Sequence, residues 1–237
     1  MTQSKPRRAI VIPSAGTGSR FQSTTPKQFH ALSGEPILVR TIRTACEVSD
    51  VGSISIGMRG DIDQWYLWLR EHGIDDSRVQ VFEGADDRQL TVMKALEHWS
   101  MNGSAEDGIV LVHDAVRPLA SVALWERVAA AAEQYGAAIP VLPMADTVKM
   151  VSNGLVETTV DRSRLVRVQT PQGFRREMLR SAYESAVREG VSVTDCSSVV
   201  ERAGNPVHLV DGDETNFKIT TPYDLAVAEF VVVNFAR

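Results

Sequence analysis

Ala9-Ile10-Val11-Ile12-Pro13-Ser14-Ala15-Gly16-Thr17-Gly18-Ser19-Arg20 sets a short apolar run directly against a glycine-rich turn. The first five residues read as a buried strand, because the run is short, rich in β-branched side chains and bounded by turn formers. The turn reads as a phosphate cradle. Glycines let the backbone approach an anion and aim several N–H groups at it. Arg20, and Lys27 within Pro26-Lys27-Gln28, bring two positive charges to the same region. That density of donors suits a triphosphate. Competing phosphate motifs fail: Phe21 occupies the third-glycine position of the dinucleotide fingerprint, and neither Gly-x4-Gly-Lys-Ser/Thr nor a Tyr-x3-Lys pair occurs.

Outward from this segment, similar runs recur at Ser53 to Met58, Val79 to Phe82, Ile109 to His113, Ala137 to Val141 and Val207 to Val210. Between them, apolar residues at three- and four-residue spacings predict helices over Ile37 to Val48, Ile62 to Leu69, Leu90 to Trp99, Val122 to Tyr135 and Met178 to Val187. Strand and helix alternate, which predicts an α/β fold: a Rossmann-like, mostly parallel sheet with helices on both faces and ligands beyond the carboxyl ends of its strands. From Asp146 to Gln169 the pattern turns strand-like, with Asn153-Gly154 between Thr147 to Val151 and Leu155 to Val160, a hairpin signal. An isolated hairpin is marginal in water. The expectation is a β-arm at about residues 144–168 that projects from a single domain spanning 1–237 and is covered by a second subunit. A helix from Pro222 to Val233 closes the fold.

Composition narrows the function. The 237 residues are 43% hydrophobic and 23% charged, an ordinary globular balance. The formal charge is −5, and Lys and Arg are dispersed, so no nucleic-acid or membrane surface is expected. Cys46 and Cys196 are far apart and outside any zinc spacing, which fits a reducing compartment. The basic start leads into a strand without a cleavage site, and no apolar stretch reaches the roughly 18 residues of a membrane span. A cytoplasmic location is expected.

A second cluster, Val112-His113-Asp114-Ala115-Val116-Arg117-Pro118, puts a carboxylate and a guanidinium at a strand tip. Asp114 could meet a metal or polyol hydroxyls. The alternative is that Asp114 caps the next helix and Arg117 pairs with a surface carboxylate. His113 reads as structural, Trp65, Trp68, Trp99 and Trp125 as packing residues, and His30, His72, His98 and His208 show no ligand spacing.

With these motifs in hand, the chain resembles the cytidylyltransferases that act on 2-C-methyl-D-erythritol 4-phosphate in non-mevalonate isoprenoid synthesis, over nearly its whole length. Seven ordered motifs carry the resemblance: Ala15-Gly16-Thr17-Gly18-Ser19-Arg20, Pro26-Lys27-Gln28, His113-Asp114-Ala115 with Arg117-Pro118, Asp146-Thr147-Val148-Lys149, Thr159-Val160-Asp161-Arg162, Gln169-Thr170-Pro171-Gln172 and Phe217-Lys218-Ile219-Thr220-Thr221. The resemblance implies a nucleotide-diphospho-sugar transferase-like fold. It implies that Ser14, Ala15, Gly16, Thr17 and Gly18 hold CTP and that Ala85, Asp86, Arg88 and Thr91 lie near the cytosine and ribose. Asp114, Arg117, Thr147, Thr170 and Lys218 would surround the polyol phosphate, with Arg162 reaching across from the arm of a neighbouring subunit in a homodimer. Arg20, Lys27 and Lys218 would be catalytic, with Mg2+ or another divalent cation on the triphosphate and no metal ligand assigned beyond the candidate Asp114.

The chain departs from the family pattern at Ser14 for a usual alanine, Ala85 for glycine, Thr91 for serine, and Asp195-Cys196 where Asp-Glu is common. Val116 and Phe29 are as much like the sister ribitol 5-phosphate cytidylyltransferases, whereas Thr159-Val160-Asp161-Arg162-Ser163 resembles the methylerythritol branch. Two readings from other classes stay open here. One is a non-catalytic nucleotide-binding module. The other is a nicotinamide-dependent oxidoreductase, which would want an acidic residue where Met58-Arg59 stands.

Overall fold

A computed structural model of the chain describes residues 7–16, 21, 25–101, 108–191 and 193–235, with the backbone alone for 98–101. In chain order the elements are β1 (Arg8–Pro13), a small hairpin β2 (Ala31–Leu32) and β3 (Glu35–Pro36), α1 (Ile37–Glu47), β4 (Val51–Met58), α2 (Ile62–Glu71), β5 (Val79–Glu83), α3 (Arg88–Met101), β6 (Ile109–Val112), α4 (Val122–Tyr135) and β7 (Ala137–Pro143). There follow β8 (Val148–Ser152), β9 (Leu155–Val160), β10 (Val166–Val168), β11 (Gln172–Arg175), α5 (Arg176–Arg188), α6 (Cys196–Arg202), β12 (His208–Asp211) and α7 (Pro222–Phe235).

The main sheet runs β10-β7-β11-β6-β1-β4-β5, with β12 also on β7. β1 lies parallel to both β4 and β6, β4 is parallel to β5, and β12 is parallel to β7. Along β1 the alternating side chains divide: Ile10 and Ile12 join one core cluster, Ala9 and Val11 the other. Both faces of the sheet are therefore buried under helices, as its parallel strands require. A third cluster beneath α7 gathers Leu32, Ile37, Val116, Ile219 and Ala228. No helix among the described residues is long and apolar enough to cross a membrane.

Local chemistry sets the boundaries. The Ser121 hydroxyl accepts from the Leu124 amide and caps α4, which ends at Gly136, whose φ of 93° suits glycine and whose amide donates to the Ala132 carbonyl. Asn153 and Gly154 both take positive φ, 49° and 79°, the turn expected of an Asn-Gly hairpin. β8 and β9 pair only with each other, and the hairpin stands off the sheet with Val151 67% and Leu155 73% exposed.

The structure departs from the predicted rhythm in three places. β11 wedges antiparallel between β6 and β7, β10 runs antiparallel on β7, and α6 follows α5. β11 is the four residues Gln172-Gly173-Phe174-Arg175, which hold no β-branched residue and so give little strand signal. α6 is a seven-residue helix started by Asp195, whose side chain accepts from the Ser198 amide. β10 falls within the predicted arm, yet it rejoins the main sheet, so the free-standing part is the β8-β9 hairpin.

Candidate active site

β4 and β5 extend the sheet to one side of β1 and β6 to the other, so the strand order reverses between β1 and β6. That reversal opens a crevice at the strands' carboxyl ends. A cleft lies there, lined by Pro13 to Gly16 after β1, Lys27 and Gln28, Ala85 to Arg88 and Thr91 after β5, Asp114 to Val116 after β6, and Lys218.

The first wall is the turn after β1. The Ser14 amide donates to the Gly57 carbonyl at 2.9 Å and anchors the start of the turn to β4. Gln28 Nε2 donates to the carbonyls of Ser14 at 2.9 Å and Gly16 at 3.2 Å. Gln28 is buried, so this cross-link ties the turn that bears Lys27 to the turn after β1. Thr17, Gly18 and Arg20 lie outside the described residues.

The second wall is the loop from β5 to α3. A Cβ on Gly84 would come within 2.6 Å of the Ala15 Cβ, so only glycine lets the two loops meet. The Ala85 amide donates to Thr91 Oγ1 at 2.9 Å, and that hydroxyl donates to the Asp87 carbonyl at 2.8 Å. Thr91 thus shapes this loop from within. The Asp86 carboxylate turns outward and pairs with Arg59 at 2.7 Å. Arg59 is one of the two residues standing where an oxidoreductase would need an acidic one.

The third wall centres on Asp114. Its carboxylate faces Lys218 Nζ at 2.8 Å, Arg88 Nε at 3.2 Å and Arg117 Nε at 3.8 Å, with the Asp114 side chain 12% exposed. Burial alone would raise its pKa, but the charges of Arg88, Lys218 and Arg117 prevail and hold it well below the ordinary carboxylate range. Burial draws the Arg117 pKa down, opposed by Asp114 and assisted by the like charge of Arg88. The alternative roles for this pair therefore fail: Asp114 caps no helix, and Arg117 faces Asp114 and not a surface carboxylate.

His113 is fully buried. Its Nε2 lies 3.0 Å from the Arg117 carbonyl, which can only accept, so Nε2 carries the proton and Nδ1 accepts from Thr170 Oγ1 at 3.1 Å. Burial pushes this imidazole down to about 4. Thr170 Oγ1 in turn accepts from the Asp114 amide at 3.0 Å. Asn216 donates to the Thr170 carbonyl at 2.8 Å, and its own carbonyl accepts from Arg117 at 2.7 Å, which fixes the tail segment bearing Lys218.

On the far side of the Asp114 cluster a second cleft is lined by Arg88, Asp114, Arg117, Thr170 and Lys218, backed by Gln172 and residues of α6. The structure thus brings together Ser14, Ala15, Gly16, Lys27, Ala85, Asp86, Arg88, Thr91, Asp114, Arg117, Thr170 and Lys218 across two clefts that share Arg88, Asp114 and Lys218. Arg88, expected near the base and ribose, stands in the shared wall. Thr147 and Arg162 line neither cleft of their own chain, and the Arg162 guanidinium donates to the Ala145 carbonyl at the base of the arm. Sequence reasoning misses Gln28 and Gln172. Both belong to motifs that the sequence does display, but a glutamine's part in closing a loop depends on which carbonyls face it.

The family model for 2-C-methyl-D-erythritol 4-phosphate cytidylyltransferase matches residues 8–234. A relative of that name from Acidobacterium capsulatum is 41% identical over 231 residues, covering 93% of this chain and 95% of the relative. Another, from Geobacillus thermodenitrificans, is 38% identical and covers 95% and 96%. The crystal structure of 2-C-methyl-D-erythritol 4-phosphate cytidylyltransferase from Thermus thermophilus superposes with a TM-score of 0.77 at 32% identity, covering 95% of this chain and 98% of that one. The chain belongs to the 2-C-methyl-D-erythritol 4-phosphate cytidylyltransferase family.

Proposed function

We propose that the protein joins CTP to 2-C-methyl-D-erythritol 4-phosphate, forming 4-diphosphocytidyl-2-C-methyl-D-erythritol and releasing pyrophosphate, a step of isoprenoid biosynthesis. The supporting observation is the pair of clefts that share Arg88, Asp114 and Lys218, room for two anionic substrates with a common cationic wall. CTP takes the cleft beside the turn after β1 and the acceptor the cleft beside Thr170. An oxygen of the acceptor phosphate forms a bond to the α-phosphorus as the α–β bridging bond breaks, and the electron pair leaves with pyrophosphate. No protein nucleophile is needed, so catalysis is positioning and charge stabilisation. The turn of residues 14–18, with Arg20 and Lys27, binds the triphosphate and the charge that grows on the leaving group. Lys218 serves the acceptor phosphate and the α-phosphoryl oxygens together. Asp114 keeps Lys218, Arg88 and Arg117 aimed despite their mutual repulsion.

Mg2+ or another divalent cation accompanies the triphosphate. Asp114 is already surrounded by three cations, and the described residues hold no cluster of three or more His, Cys, Asp or Glu placed for a metal. The donor set fits an ion carried in on phosphate oxygens and water, the usual habit of Mg2+, better than an ion held by the protein. An ion so bound would supply further neutralisation of the triphosphate.

The exposed apolar residues of the arm, Met150, Val151, Leu155 and Val156, support a homodimer in which each arm lies on the other subunit. Thr147 and Arg162 then complete the acceptor site in trans. The two free thiols and the soluble substrates support a cytoplasmic setting. Of the two residues as much like the ribitol enzymes, Phe29 stacks on Trp65 at 5.2 Å, and Val116 is buried beneath α7 at the edge of the first cleft. A nucleotide panel with the methylerythritol acceptor tests the proposal: CTP alone should give acceptor-dependent pyrophosphate. Binding of CTP without turnover would favour the non-catalytic module.

A further inference from the structure

Arg88 bridges the shared wall with a second anchor besides Asp114. Its Nη1 donates to Cys196 Sγ at 3.3 Å, and the Tyr183 hydroxyl donates to the same sulfur at 3.2 Å. Cys196 is fully buried, and its amide donates to Gln172 Oε1 at 3.2 Å, so the sulfur is held in register with β11, two residues beyond Thr170. A guanidinium has one rotatable stem and several donors. With Nε on Asp114 and Nη1 on Cys196, its plane is set from two sides.

We infer that Cys196 is a positioning residue for acceptor binding: its sulfur, steadied by Tyr183, keeps Arg88 against Asp114 in the wall common to both clefts. The inference builds on the proposed reaction, and its test separates the two. In steady-state assays Cys196→Ala raises the acceptor KM about tenfold, the scale of one hydrogen bond to a charged group, with kcat changed by less than about twofold on the same reasoning. Cys196→Ser, which keeps an acceptor of similar size, recovers most of that loss. In an Arg88→Lys background, Cys196→Ala adds less than about twofold, because the contact it removes is already gone. Tyr183→Phe, which keeps the ring in the core, raises the acceptor KM by about two- to threefold and serves if the alanine variant is insoluble. A readout on the free enzyme needs no turnover: the Nε–H proton of Arg88 exchanges slowly in the parent and in Cys196→Ser, and rapidly in Cys196→Ala. A lower melting temperature with acceptor KM and proton exchange unmoved overturns the inference, as do independent, multiplying effects in the double variant. Absence of turnover in the parent overturns the proposed reaction and leaves the exchange result to decide this one.

Discussion

Asp114→Asn keeps the shape of the side chain and removes the negative charge around which three cations gather. Lys218, Arg88 and Arg117 approach it at 2.8, 3.2 and 3.8 Å. Deleting one partner of a buried ionic cluster costs about 3–5 kcal/mol. Lys218 is 37% exposed and can lean toward water, which favours the lower end, about 3 kcal/mol. For a chain of this length each kcal/mol shifts the melting temperature by about 2–4 °C, so a fall of about 6–12 °C follows. Urea unfolding in phosphate-free buffer, followed by circular dichroism with the slope held to that of the parent, measures the loss. Inorganic phosphate should then restore part of it, since an anion can replace the missing charge among the same cations. A loss under about 1 kcal/mol, or no response to phosphate, would refute the idea that Asp114 holds a repelling cluster together.

Lys27→Ala should lower kcat by about 10²- to 10³-fold, the usual effect of one preorganised donor at a site of developing charge; near-normal turnover in folded protein would contradict its role. Mixing chains carrying Arg162→Ala with chains carrying Lys27→Ala should recover activity if the arm serves the neighbouring site, and verified heterodimers without recovery would refute sharing. His113, pushed down to about 4, stays neutral when folded, while the unfolded chain binds a proton near the ordinary 6.5. Its contribution to stability is therefore complete above about pH 6.5 and is lost as the pH falls toward 4. In NMR its ring signals should not titrate above about pH 5, and a midpoint near 6.5 would show that the imidazole is not sealed.

The alternation of strands and helices is legible because the central strands β1 and β6 are buried on both faces and so read as apolar runs. The arm is legible for a different reason, since Asn153-Gly154 adopts a turn few other pairs allow. β11 is not. It is held by position between β6 and β7, and Gln172, Gly173, Phe174 and Arg175 carry little strand preference of their own. In the site, Gly16 and Asp114 announce themselves by residue type just past a strand tip, and Lys27 by its charge near the glycine-rich turn. The family resemblance implies Thr91 near the cytosine and ribose; it lines the first cleft, with its hydroxyl engaged by the loop backbone. Arg88, implied near the same groups, also lines that cleft, and its contacts to Asp114 and Cys196 span long stretches of chain. Contacts of that range leave no trace in local spacing.

The most direct test of the account offers the purified protein CTP and Mg2+ with 2-C-methyl-D-erythritol 4-phosphate and, in parallel, ribitol 5-phosphate, with the products identified by mass. The account predicts pyrophosphate and a cytidine diphosphate ester from the methylerythritol acceptor alone. Turnover with ribitol 5-phosphate alone, or with neither acceptor, would contradict it.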